Sequence, residues 1–365
     1  MAGLSKRLGF ALEYSLGHIT HAQNLKRTLE ARIDLIPSYV DLPFEGLTGA
    51  WTKLPGVRSN WTLRASLGAW LGLRRQAKSL DGALFHTQVT SLFAAGIMRR
   101  VPSVVSLDAT PLQYDSLGAL YGHIPSANVR LEDLKKRLNQ NSFGAARHLV
   151  TWSQWTKNSL AADYGVPADK ITIIPPGVDQ TLFCPDHAAR QGDGVTRLLF
   201  VGGNFARKGG EHLLRWAKET SVSAPWELHL VTRDTVPEVA NVIIHRNIGN
   251  NAKELVSLYQ KSDVFVLPTL ADCFSLVSME AMSCGLPVVT TRMGGIPEIV
   301  EEGTTGFLMD AGDYPALAQH LDRLVADVSL RQDMGHAALS QAREKFDCRV
   351  NVGRIIDVMQ AAKQN

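Results

Sequence analysis

Short apolar runs that alternate with helical stretches constrain this fold more than any other feature. In the first half they are LGFALEY, ALFHTQ, SVVSLD, HLVTWS and ITIIPP. In the second they are RLLFVGG, ELHLVT, NVIIHR, VFVLPT, PVVTT and GFLMD. They lack polar–apolar alternation, as strands covered on both faces of a parallel sheet do. Segments such as GEHLLRWAKETS and NAKELVSLYQKS carry helical periodicity between them. A β-α order sustained over 365 residues exceeds one ordinary core, so two doubly wound α/β domains are expected. Turn and polar residues cluster between Pro175 and Arg197. The expected division is therefore 1–178, a linker over 179–196, and a second domain over 197–345. Open sheets of this kind bind ligands at the carboxyl ends of their strands, in a cleft where the two domains face each other.

Composition narrows the class. Cys184, Cys273, Cys284 and Cys348 stand apart with no CxxC pair, against a structural zinc site or a disulfide framework and for a reducing compartment. The start, MAGLSKRLGFALEYSLGHITH, has an apolar run broken by Glu13 and no small-residue cleavage site after it. It reads as a first core strand, not a signal peptide. No run approaches the ~18 uncharged apolar residues of a membrane span. A cytoplasmic location is expected, with peripheral attachment at the inner face of a membrane as a variant. Residues 1–190 hold 21 Lys and Arg against 14 Asp and Glu, and the remainder 17 against 21. The basic half suits anionic ligands or an anionic membrane surface, or is simply solvated.

Two segments carry chemistry. FVGGNFARKGGEHLL, 200–214, reads as strand, Gly-rich loop and helix, with Arg207 and Lys208 as cations in the loop. It is either a phosphate cradle or a tight turn with a solvated basic pair. VFVLPTLADCFSLVSMEAMSCGLPVVTT, 264–291, reads as a buried strand, a loop with Asp272, a helix from about Ser275, and a stop at Gly285-Leu286-Pro287. The acids of DCFSLVSME then bracket free helix-start amides suited to an anion. The alternative is a capping acid and an exposed helical Glu.

Together these segments resemble the retaining family 4 glycosyltransferases of GT-B fold. The resemblance rests on the lysine after a Gly-rich turn, the acid-x7-Glu spacing, EAMSCGLPVV and GGIPEIVEEGTTGFL, and extends over residues 147–345. It implies two Rossmann-like domains facing a central cleft, with a final helix, 346–365, crossing back to the first. It implies a nucleoside-diphosphate sugar, a UDP-sugar favoured, bound mainly by the second domain. Lys208 would grip the diphosphate, Glu280 would accept from the ribose hydroxyls, and Asp272 would touch the donor sugar. Gly203 and the amides of Phe274, Ser275, Leu276 and Val277 would approach sugar and phosphate. No metal or other cofactor is implied, and no DxD triplet is present. Two departures stand out. Gly202-Gly203 replaces the usual Gly-Arg, so Arg207 is expected to reach phosphate instead, and Asp272 is one methylene shorter than the usual Glu.

In the first domain, Gly17 in EYSLGHITHAQNL is a candidate backbone contact to donor. His18 and His21 are either reactive or packing groups. Leu107 occupies the place of a His common in relatives, and Asp108 after it either orients the acceptor hydroxyl or caps a loop. His86 is similarly placed. The expected catalytic set is Lys208, Arg207, Asp272 and Asp108. The acceptor is a saccharide, a lipid-linked group or a small molecule, and no nucleic acid partner is implied. In 60–78, Leu63, Leu67, Trp70 and Leu71 fall at helical spacing among Arg64, Arg74, Arg75 and Lys78. This is either an interfacial helix making peripheral membrane contact or a domain helix with a basic outer face. A silent partner subunit of this fold remains an alternative, as does an epimerase or a phosphorylase.

Overall fold

The structure, a computed structural model, describes residues 5–122, 126–186, 188 and 192–362. The chain forms two compact units. One holds the described residues up to Gly118, those from 126 to Gly177, and those from Cys348 onward. The other holds Ala119–Gly122 and Val178–Asp347. Phe183, inside the stretch read as a linker, is fully buried in the second unit with its ring 5.6 Å from that of Tyr259.

In the first unit the strands are β1 (Lys6–Tyr14), β2 (Leu35–Pro43), β3 (Gly82–His86), β4 (Ser103–Leu107), β5 (His148–Thr151) and β6 (Ile171–Ile173). All pair parallel, in the order β2-β1-β3-β4-β5-β6. In the second they are β7 (Thr196–Val201), β8 (Trp226–Val231), β9 (Val242–His245), β10 (Val264–Leu267), β11 (Val288–Thr291) and β12 (Gly306–Met309). These too are parallel, in the order β12-β11-β10-β7-β8-β9. Every residue of β3, β4, β10, β11 and β12 is buried, which is why their sequences do not alternate. β2 is the strand that the apolar runs do not reveal. It carries Pro37 and Pro43 and is mostly half-buried, as an edge strand can be.

The strand order sets where loops can converge. In the first unit the chain leaves β1 toward β2 and returns to β3 on its other side, so the switch lies between β1 and β3. In the second it lies between β7 and β10. At such a point the crossover connections of the two neighbouring strands run on to opposite faces of the sheet, which leaves a crevice at the carboxyl ends of those strands.

The helix Trp61–Arg74 buries Ala65, Ala69 and Leu73 in the first unit, and Trp61 and Trp70 pack against the same core. Gly72 faces Val40 of β2, where an added Cβ would come within 2.7 Å of that side chain. This is the domain-helix reading of 60–78, and Trp70, the one tryptophan of the interfacial reading, packs against the core instead. No helix among the described residues is long and apolar enough to cross a membrane. The C-terminal helix, Cys348–Ala361, puts Val352, Ile355, Ile356 and Met359 into the core of the first unit.

Lys208 is held by the backbone that follows it. Gly209 has φ +78°, and a Cβ there would lie 1.9 Å from the carbonyl oxygen of Pro268, just past β10. Only glycine meets both conditions. Gly209→Ala is expected to lower stability by on the order of 3 kcal/mol in urea unfolding. A variant with unchanged midpoint and slope would contradict this packing.

Candidate functional site

In the second unit the loop after β7 and the loop after β10 are stitched together. Leu270 donates its N–H to the Arg207 carbonyl at 2.9 Å. Arg207 Nη1 donates to the Ala271 carbonyl at 2.6 Å, and its guanidinium lies 4.3 Å from the centre of the Tyr121 ring. Beside it, Lys208 Nζ donates to Asp272 Oδ2 in an ion pair whose side chains are 14% and 9% exposed. Asn204 Oδ1 accepts from the Arg207 N–H at 2.9 Å and Asp234 from that of Phe205 at 2.6 Å, so the Gly-rich loop is braced at two points. Gly203 is exposed, with no atom near its Cβ direction.

The helix Leu276–Ser283 begins where the sequence suggests. Ser275 is its N-cap and accepts from the Ser278 N–H at 3.3 Å. The amides of Leu276 and Val277, at its first positions, have no acceptor within the helix. Gly285, with φ +74°, ends it. Asp272 thus precedes the helix and Glu280 lies within it. Glu280 is not the exposed helical acid of the alternative reading. It is 4% exposed, and its Oε2 accepts from the Tyr259 hydroxyl at 3.0 Å. Burial pushes its carboxyl up from 4.5 to about 8, against the lowering effect of that hydrogen bond.

In the first unit Gly17 is the N-cap of the helix His18–Glu30, with ordinary helical φ and no side-chain cap. His18, His21 and His86 surround Trp152. His86 stacks on the indole at 5.7 Å, and the ring centres of His18 and His21 lie 5.0 and 4.7 Å from that of His86. His86 is held well below its usual range, by burial first and then by the neighbouring imidazoles. Burial and His18 push His21 down to about 3. Both are neutral at physiological pH, which fits packing groups. His18 Nε2 lies 3.6 Å from Asp108 Oδ2, close for a charge pair and long for a hydrogen bond. Burial raises the Asp108 carboxyl, His18 opposes that shift and Glu13 adds to it. Leu107 is fully buried in the core. Among the described residues no three His, Cys, Asp or Glu side chains are grouped to hold a metal ion.

Two residues escape sequence reasoning. Glu13, read only as a break in an apolar run, is buried at the end of β1. There it accepts from Ser15 at 2.6 Å, from Trp61 Nε1 at 2.7 Å and from Thr87. Tyr259 sits on the buried stripe of the helix Lys253–Lys261 with Leu255 and Val256. A buried tyrosine needs an acceptor for its hydroxyl, and that rule was the available signal.

A carboxyl raised in the folded protein ionises in the unfolded chain first. Its contribution to stability is complete below pH 4.5 and is lost as pH rises from there through about 8. Glu280→Gln removes that loss. Thermal melts should therefore show the variant gaining at least about 2 °C on wild type between pH 5 and pH 8.5. A difference in melting temperature that is constant over this range would contradict the buried carboxyl.

Comparison with known proteins follows the same division of the chain. A family model described as Glycosyltransferase Family 4 matches residues 17–182, and one described as Glycosyl transferases group 1 matches residues 195–327. The D-inositol 3-phosphate glycosyltransferase of Paenarthrobacter aurescens (strain TC1) is 33% identical over 221 residues, 54% of this chain and 53% of that protein. The MMP alpha-(1->4)-mannosyltransferase of Mycolicibacterium hassiacum is 28% identical over 225 residues, 59% of this chain and 54% of that one. The chain spans about half the length of these curated relatives. Sucrose-phosphate synthase from Thermosynechococcus elongatus shares the fold at a TM-score of 0.75 and 17% identity, over 98% of each chain. Anabaena Alr3699/HepE, solved in complex with UDP, does so at 0.70 and 16%, over 98% of this chain and all of its own. With its two parallel six-stranded units, this chain belongs to the family 4 glycosyltransferases of GT-B fold.

Proposed function

We propose that the chain transfers a hexosyl group from a nucleoside-diphosphate sugar, a UDP-sugar in the first place, to an acceptor hydroxyl. Anomeric configuration is retained and no metal ion is required. The observation that carries this reading is the meeting of Lys208 and Asp272 at the β7/β10 switch, beside the open start of the helix Leu276–Ser283. A cation and helix-start amides with no acceptor inside their own helix suit a diphosphate, and a carboxylate next to them suits sugar hydroxyls. Glu280, deeper in the same helix, serves the ribose. UDP is preferred because a protein of the same fold is solved with UDP and with UDP-glucose.

In the reaction the bond from the anomeric carbon to the diphosphate oxygen breaks and its electron pair stays on that oxygen. Lys208 and the amides of 274–277 stabilise the charge as it develops, which is where fixed donors contribute most. The acceptor oxygen bonds the anomeric carbon on the same face, and its proton passes to the leaving phosphate oxygen. No dedicated protein base is needed. Asp108, with His18 beside it, orients the acceptor hydroxyl. The name of one curated relative, a D-inositol 3-phosphate glycosyltransferase, points to a phosphorylated inositol as the kind of acceptor to try first.

A panel of UDP-, GDP- and ADP-hexoses, scored by nucleotide release, tests the proposal. One nucleotide series should turn over, with the rate unchanged by EDTA. Lys208→Ala should lower kcat by about 100-fold and Arg207→Ala by roughly tenfold. Equal rates for wild type and Lys208→Ala would remove Lys208 from the mechanism. If no nucleotide raises the melting temperature, the donor assignment itself is wrong.

A further inference from the structure

Lys208 is committed to a partner that the reaction also needs. Its ammonium bonds Asp272 Oδ2, and both groups are largely withdrawn from water. The pair is set in stiff backbone. Gly209 is fixed against Pro268, and the Gly295 N–H donates to the Cys273 carbonyl at 2.8 Å, one residue past Asp272. Arg207, the neighbouring cation, already spends Nη1 on the Ala271 carbonyl. A diphosphate that arrives at Lys208 therefore meets a carboxylate in contact with the same ammonium. Like charges so placed repel strongly where water is scarce.

The balance differs between two ligands that share that diphosphate. A free nucleoside diphosphate draws Lys208 away and offers the carboxylate no donor in return, and a buried acceptor left unmatched is costly. A nucleoside-diphosphate hexose carries hydroxyl donors on its sugar to replace the ammonium.

Resting on the donor reading above, we propose that Asp272 makes the site discriminate sugar nucleotide from free nucleotide. The carboxylate passes from Lys208 to the hexose hydroxyls as donor binds. Once the hexose has been transferred it returns to Lys208, and the re-formed ion pair expels the product nucleotide. Asp272 is then a specificity-determining residue as well as a sugar contact, and product release is coupled to loss of the sugar.

Calorimetric titration tests this with UDP, GDP and ADP and with UDP-glucose, GDP-mannose and ADP-glucose. The proteins are wild type, Asp272→Asn, Asp272→Ala and Lys208→Ala. For the nucleotide that binds, both Asp272 variants should bind it roughly tenfold tighter than wild type, while its hexose ester gains nothing or weakens. The ratio of the two Kd values therefore falls at least about tenfold, and product inhibition in the turnover assay deepens by a similar factor. Either variant alone decides the matter. An unchanged ratio, or weaker nucleotide binding in the Asp272 variants, overturns the inference. If Lys208→Ala loses nucleotide at the same time, the donor reading survives that failure. If wild type binds none of the six ligands, the donor reading falls and this inference falls with it.

Discussion

The adjacency of β7 and β10 in the second sheet is the constraint on which the rest depends. These strands are far apart in sequence, yet their parallel pairing sets the Gly-rich loop beside the loop that holds Asp272. The contact between Lys208 and Asp272, 64 positions apart, exists only because of that pairing. Gly209 converts proximity into contact, since its missing side chain lets the β7 loop lie on the Pro268 carbonyl. The first unit repeats the arrangement at β1 and β3, where Glu13 accepts from Thr87, next to His86, and the His18 ring packs on that of His86.

Both units keep ionisable groups away from water, and each is held in a different way. Glu13 is saturated by a serine, an indole and a threonine, so its charge is spread over three donors. Among the described residues Glu280 has one donor, Tyr259, and burial raises its carboxyl to about 8. The first arrangement suits an acid that organises the fold. The second suits an acid that waits for further donors, such as the hydroxyls of a ribose. Buried, incompletely paired acids cost stability, and proteins keep them where function uses them.

How legible these features were in the sequence follows from how local each is. The buried strands announce themselves by unbroken apolar runs, and the helix start at Ser275 by a capping serine with a glycine-proline stop beyond it. β2 is hidden because edge strands tolerate proline and half-burial, so neither period nor composition marks it. The placing of Asp272 before the helix and Glu280 inside it was readable. That Asp272 is taken by Lys208, and Glu280 by Tyr259, was not, because both contacts depend on which elements pack side by side. For the same reason the positions of His18, His21 and His86 at strand ends and a helix start could be read, whereas their assembly around Trp152 could not. The amphipathic stretch 60–78 was ambiguous because a helix packed on a sheet and a helix packed on a membrane bury the same residue types.

The central claim is that the second unit grips a diphosphate between Lys208 and the start of the helix Leu276–Ser283. Amide hydrogen exchange with and without nucleoside-diphosphate sugar addresses it directly, because those amides would be the phosphate's own donors. Binding should slow exchange at Phe274–Val277 and in the loop around Lys208. Protection confined to the first unit, with the amides of 274–277 exchanging as before, would contradict the account.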